Sequence, residues 1–231
     1  MPHQAIPASP TAGRYGGVAL RLDPVSQSPT HRRPLSRASL DGVPASGDTD
    51  PAAAVELAHT TAAAVLRAGR DPAMPAPVDL VERLGGLDEL ARLWSDAEEG
   101  TLPSTLLTLY LLREWCRSRG AEAARLYRDG AIRAEVSHAV AGVVAPPGPE
   151  DVARLADAVL TSTYRGDLAV ALERAAAFCR VVGAGREVAA HDRAGDDPEH
   201  ATRELRLAAG NTRAARELEQ AARAWRAGTL V

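Results

Sequence analysis

The chain has 231 residues, 45% of them hydrophobic and 25% charged, with a formal net charge of −3. This is ordinary globular composition with length for one good core, and the acidic balance argues against a generic polyanion binder. All 27 basic residues are arginine, a bias that with abundant Ala, Gly and Pro matches GC-rich bacterial coding rather than an arginine-specific function.

Residues 1–49 hold seven of the sixteen prolines, five Arg against three Asp, and no repeated apolar face. They cannot offset the entropy of ordering and are expected to form a disordered Pro/Ser/Arg-rich leader. Within it, Thr30–Leu40 is basic and bears Ser36 and Ser39, as a basophilic kinase site would, although a solvated linker explains it more simply. The start, Met1 to Pro7, lacks a basic region followed by an apolar stretch, and no run approaches the ~20 apolar residues of a membrane span. Cys116 and Cys179 lie far apart in helical contexts without disulfide or zinc spacing. A cytoplasmic location with no membrane attachment is therefore expected.

Asp50-Pro51 supplies an N-cap and a first-turn proline, and Val55, Ala58, Ala62 and Leu66 form the stripe of a helix reaching about Gly69. After the breaker Asp71–Pro77, the series Leu80, Leu84, Leu87, Ala91, Trp94 passes through Gly85-Gly86, where a bend or two short helices are expected. Thr101 and Pro103 open a central helix that Gly120 closes. Four of the eight aromatic residues, Trp94, Tyr110, Trp115 and Tyr127, fall within 34 positions around it and mark the core. Leu106, Leu107, Leu109, Leu111 and Leu112 point all round this helix, whereas Arg113, Glu114 and Arg117 gather on one polar edge.

Two shorter helices follow, Ala121 to Arg128 and about Ile132 to Val144. The apolar series Val152–Leu160 and Leu168–Val182, joined by Arg165-Gly166-Asp167, read as an antiparallel helix hairpin packed on the central helix. Residues 183–196 are expected to be a loop. Asp197-Pro198 then opens a last amphipathic helix, interrupted at Gly210-Asn211 and thin in large apolar residues, so it is expected to dock loosely or await a partner. The fold class is all-α, an irregular multi-helix bundle: leader 1–49, helical core domain 50–190, acidic loop and C-terminal helix 191–231.

Glu56 with His59 and Glu135 with His138 are Glu-x-x-His pairs, the spacing that di-iron carboxylate bundles use. These four are the candidate metal ligands. His59 sits at the edge of its stripe, however, and His138 lies away from the Ile132, Val136, Ala139, Val143 face, whereas ligands in such bundles project inward. The loop His191–His200 lacks the alternating ligands and sixth-position glycine of a calcium loop. Cys116 is flanked by Arg113, Arg117 and Arg119 but has no identifiable base, so a structural thiol is the better reading. No catalytic residue and no cofactor is assigned. The last helix carries Arg203, Arg206, Arg213, Arg216, Arg223 and Arg226 with Glu199, Glu204, Glu217 and Glu219 interleaved, which reads as a salt-bridged solvated face before it reads as a nucleic-acid surface.

Ala58-His-Thr-Thr-Ala-Ala63, Leu102-Pro103 with Leu109–Trp115, Pro146-Pro-Gly-Pro149 and Gly166–Phe178 resemble stretches of a family of uncharacterised actinobacterial all-helical proteins. The resemblance spans residues 50–186 and implies a common body with variable ends and no particular activity. The leading expectation is a non-enzymatic helical interaction or regulatory protein. Its partner would be another protein or a second copy, met through Tyr110, Arg113, Glu114, Arg117 and Trp225. The alternatives are a DNA-binding regulator, with nucleic acid the less favoured partner, and a di-metal carboxylate bundle.

Overall fold

In a computed structural model, which describes residues 50–68, 81–141 and 146–231 and no side chains for 134–141, Asp50 Oδ1 accepts the Ala52 N–H at 3.0 Å and opens α1 (Pro51–Ala68). The leader 1–49, the breaker Asp71–Pro77 and Leu80 lie outside the described residues. The buried face of α1 is Ala58, Thr61, Ala62, Val65 and Ala68. This corrects the stripe drawn through Val55, which is 54% exposed. Thr61 enters the core because its hydroxyl donates to Leu57 O and Ala58 O and accepts the indole N–H of Trp94 at 3.1 Å. A buried hydroxyl and a buried indole thus satisfy each other.

Gly85 and Gly86 both take left-handed φ, 87° and 89°, and break the chain into a helical turn ending at Arg83 and α2 (Leu87–Leu93), as their pairing predicts. The central helix, α3 (Leu102–Ser118), buries Leu102, Leu106, Leu109, Leu112, Trp115 and Cys116 and touches α1, α2 and the helices that follow. Thr101 occupies the N-cap position, but its hydroxyl donates to Glu98 O at 2.7 Å instead of capping α3. The last residue closes that end: Val231 O accepts the Leu102 N–H at 2.8 Å, with Leu230 buried beside it.

Where two short helices were expected there is one, α4 (Gly120–Ala141), and Gly130 lies inside it. Likewise the expected loop at 183–196 is largely helix: α6 (Leu168–Arg193) continues through Gly183 and Gly185. The same physical reason explains both corrections. A Cβ on Gly130 would stand 1.9 Å from Val181 O, and one on Gly185 would stand 1.9 Å from Leu126 O. The backbones of α4 and α6 therefore touch, and these glycines are crossing points rather than breakers.

The helix α5 (Pro149–Leu160) lies along α3, and α6 pairs mainly with α7 (Pro198–Arg226). The long antiparallel hairpin is accordingly α6–α7, closed by residues 194–197, and not the expected pair 152–160 with 168–182. Both α6 and α7 are capped as their sequences predict, by Asp167 on Ala169 N–H at 3.0 Å and by Asp197 on His200 N–H at 2.9 Å. Gly210-Asn211 does not interrupt α7. Its thin stripe of Ala201, Ala208, Ala214, Ala215, Leu218, Ala221 and Ala222 is buried, because small residues let α7 approach α6 closely. Among the described residues every regular element is a helix and none is a strand.

Candidate functional site

The polar edge of α3 is placed at a helix seam. Arg113, one turn from Arg117, is half-buried, and both guanidinium groups engage the single carboxylate of Asp157 on α5; Arg113 also reaches Glu114. Burial works against the Arg113 charge, while Asp157 and Glu114 hold its pKa above the ordinary value. The Tyr110 hydroxyl turns the other way and donates to Asp88 Oδ1 at 2.8 Å, joining α3 to α2. Burial, then the Asp88 hydrogen bond, raise its phenol well above the usual range. Arg113, Glu114 and Arg117 therefore come together around Asp157, with Tyr110 apart from them. Trp225, near the end of α7, packs half-buried against the hydrophobic cluster.

Below this seam an open groove of about 570 Å³ separates the end of α3 from the start of α5, lined by Cys116, Arg117, Asp151, Arg154 and Asp157 among others. Its charges are mutually engaged: Arg154 bonds Asp151 at 2.6 Å, and Asp157 is held as described. Burial pushes the Cys116 thiol up to about 12, and the fully enclosed Cys179 likewise to about 12. At neutral pH both are thiols, so neither offers a thiolate nucleophile.

A second polar assembly was not legible in the sequence because it includes a residue assigned to a loop. Arg186 of α6 is buried, donates to Glu204 Oε2 of α7 at 2.8 Å, and stands 3.5 Å from Glu122 of α4. Its guanidinium lies 5.5 Å over the Trp115 ring, and Trp115 in turn meets Phe178 in a tilted arrangement at 6.2 Å. His200 approaches the other oxygen of Glu204 at 3.9 Å from the rim. Four helices thus meet on one ion pair.

Glu56 is exposed and His59 half-buried on α1, while the side chains of Glu135 and His138 lie outside the described residues. Among the described residues no group of three or more His, Cys, Asp or Glu is placed to hold a metal ion. Nor is any described helix long and apolar enough to cross a membrane.

The third assembly is the outer face of α7. Glu204 turns into the Arg186 pair; Glu219 reaches back to Arg180 of α6 at 2.7 Å; and Glu217 is half-buried at the flank. Seven of the exposed positions step by four and three along the helix, Thr202, Arg206, Ala209, Arg213, Arg216, Gln220 and Arg223, with Arg203, Leu205 and Arg226 exposed to either side of them. Four of the seven are arginine and none is acidic. Arg213 stands 3.8 Å from Glu217, and among the described residues Arg206, Arg216 and Arg223 have no ion-pair partner. Of the acids that interleave in sequence, Glu204 and Glu219 are drawn to α6 by the fold, whereas Glu217 stays beside Arg213.

No family model matches the chain, and neither the curated proteins nor the solved structures include a match.

Proposed function

We propose that this chain is a non-enzymatic helical interaction protein whose docking surface is the outer face of α7, and that its partner is negatively charged. One observation carries the reading: packing draws Glu204 and Glu219 toward α6 and leaves Arg206, Arg216 and Arg223 exposed with no ion-pair partner among the described residues, Arg213 standing beside the half-buried Glu217. Arginines that serve only to solubilise a helix are ordinarily interspersed with acids of the opposite sign. A single-sign strip raises the local concentration of a complementary partner and fixes its orientation. The seam at Tyr110, Arg113 and Arg117 supports the same reading indirectly, since its charges hold helices together and the α7 strip is supplied over and above them.

Retention on immobilised heparin tests it. The full chain, despite its net charge of −3, is expected to be retained at low salt. A variant with Arg206→Gln, Arg213→Gln, Arg216→Gln and Arg223→Gln, whose circular dichroism and melting match the parent, is expected to flow through. Equal elution of the two proteins would reject the reading.

A further inference from the structure

The arginines of α7 are not a single line. At about 100° per residue, Arg206 and Arg213 lie within roughly 20° of each other on one side of the exposed face, and Arg216 and Arg223 lie about 80–100° round on the other. Between these rows run Thr202, Ala209 and Gln220, all exposed and all small or neutral. From Arg206 to Arg223 the two rows extend about 25 Å along the axis at 1.5 Å per residue. The face is a ridge with two arginine rows, the first also bearing the half-buried Glu217 beside Arg213, on either side of a narrow, uncharged crest.

That cross-section fits a groove with two anionic walls. We infer that the ridge of α7 takes a duplex of B-form DNA, its shoulders on the phosphates of the two strands and its crest toward the groove floor; this rests on the reading that the outer face of α7 is the docking surface. A helix with side chains is about 10–12 Å across, and the major groove of B-DNA is about 12 Å wide. Duplex RNA of A form has a deep and narrow major groove that excludes such a ridge. An anionic membrane would need large apolar residues beside the arginines, but the apolar face of α7 is turned against α6 and only Leu205 projects. An acidic protein partner would need aromatic or aliphatic anchors along the crest, where Thr202, Ala209 and Gln220 supply none.

The ridge also has a defined end. Before Arg206 the exposed Asp192, Asp196, Asp197 and Glu199 outnumber the exposed Arg193 and Arg203, so this stretch is net acidic and phosphate contact is expected mainly from Arg206 onward. Phosphate contacts from four arginines carry little base information, and binding is expected to be sequence-tolerant and steeply salt-dependent.

Fluorescence anisotropy of a labelled 20-base-pair DNA duplex, titrated with the full chain between 50 and 200 mM salt, tests this. Four phosphate contacts imply a log–log slope of about −3.6, roughly a 10²-fold loss of affinity across that range. Each single Arg→Gln change at 206, 213, 216 or 223 is expected to reduce the slope by about 0.9, while Arg174→Gln, on the exposed face of α6, leaves it unchanged. Duplex RNA, polyglutamate and vesicles rich in anionic phospholipid serve as the competing ligands. Retention on heparin without duplex DNA binding, or tighter binding to any of the three competitors, would overturn the DNA inference and leave the docking surface standing. Loss of heparin retention would overturn both.

Discussion

Arg186 Nη1 donates to Glu204 Oε2 at 2.8 Å, and both side chains are more than nine-tenths shielded from solvent, making this ion pair the polar centre of the α6–α7 hairpin. Removing two such groups from water costs several kcal/mol each, and their attraction offsets this only with good geometry and further partners. Glu122 at 3.5 Å and the Trp115 ring at 5.5 Å add partners on the arginine side, while the buried Arg186 Nε has no hydrogen-bond partner among the described residues.

The pair is therefore expected to behave asymmetrically. Arg186→Met alone leaves the Glu204 carboxylate buried without its cation and should cost about 3–5 kcal/mol, read as a lower urea midpoint at unchanged slope. Replacing both, Arg186→Met with Glu204→Leu, should recover most or all of that loss. Additive losses in the double-mutant cycle would show that the two residues do not act as a pair.

The contact between Gly130 and Gly185 sets the distance between α4 and α6. A methyl group at either position would meet a backbone carbonyl at 1.9 Å, which no rotamer change relieves. Gly185→Ala or Gly130→Ala should thus destabilise by about 3 kcal/mol, although alanine gains about 1 kcal/mol of helix propensity. Gly195→Ala, in the open connection after α6, is the control and should be close to neutral. A net stabilisation by Gly185→Ala in thermal unfolding would contradict the close crossing.

These glycines also show where sequence and structure part. Gly85-Gly86 and Gly130 look alike in a sequence, yet the first pair takes φ near +90° and breaks the chain whereas Gly130 lies inside α4. Only the neighbouring carbonyl of Val181 distinguishes them, and that neighbour is 51 positions away. What was local was legible: the caps at Asp50, Asp167 and Asp197, the burial of Leu106, Leu109 and Leu112, and the all-helical class. The pairing of α6 with α7, the Arg186–Glu204 contact and the separation of arginines from glutamates on α7 depend on which helix lies opposite. Interleaved charges on one helix acquire a side only when a second helix claims some of them.

The α3–α5 seam gives a prediction about the polar edge. Asp157 receives both Arg113 and Arg117 and is itself shielded, so its carboxylate is expected to contribute more than a surface pair does. Asp157→Asn keeps the shape, removes the charge, and should cost about 2 kcal/mol. The effect should persist in 0.5 M salt, because partly buried pairs are weakly screened. Unchanged melting in the variant would place the edge outside the packing of the body. Heparin retention should be unaffected, since Asp157 lies on α5 and the ridge on α7.

Glu217 carries the clearest pH signature. Burial, followed by the negative charge of Glu99, raises its carboxyl above the ordinary carboxylate value, and Arg213 at 3.8 Å opposes the shift. Its Oε1 is buried and has no hydrogen-bond partner among the described residues. A carboxyl with a higher pKa in the folded than in the unfolded chain binds its proton more tightly when folded. Its stabilising contribution is complete below the unfolded value of about 4.3 and is lost as pH rises through the raised folded value. Glu217→Gln mimics the protonated form at every pH. It should therefore raise the urea midpoint relative to the parent at pH 7 and give no gain at pH 4, with the slope unchanged at both. Destabilisation at pH 7 would mean that the charged carboxylate is held by a favourable partner, and it would remove the desolvation argument for this residue.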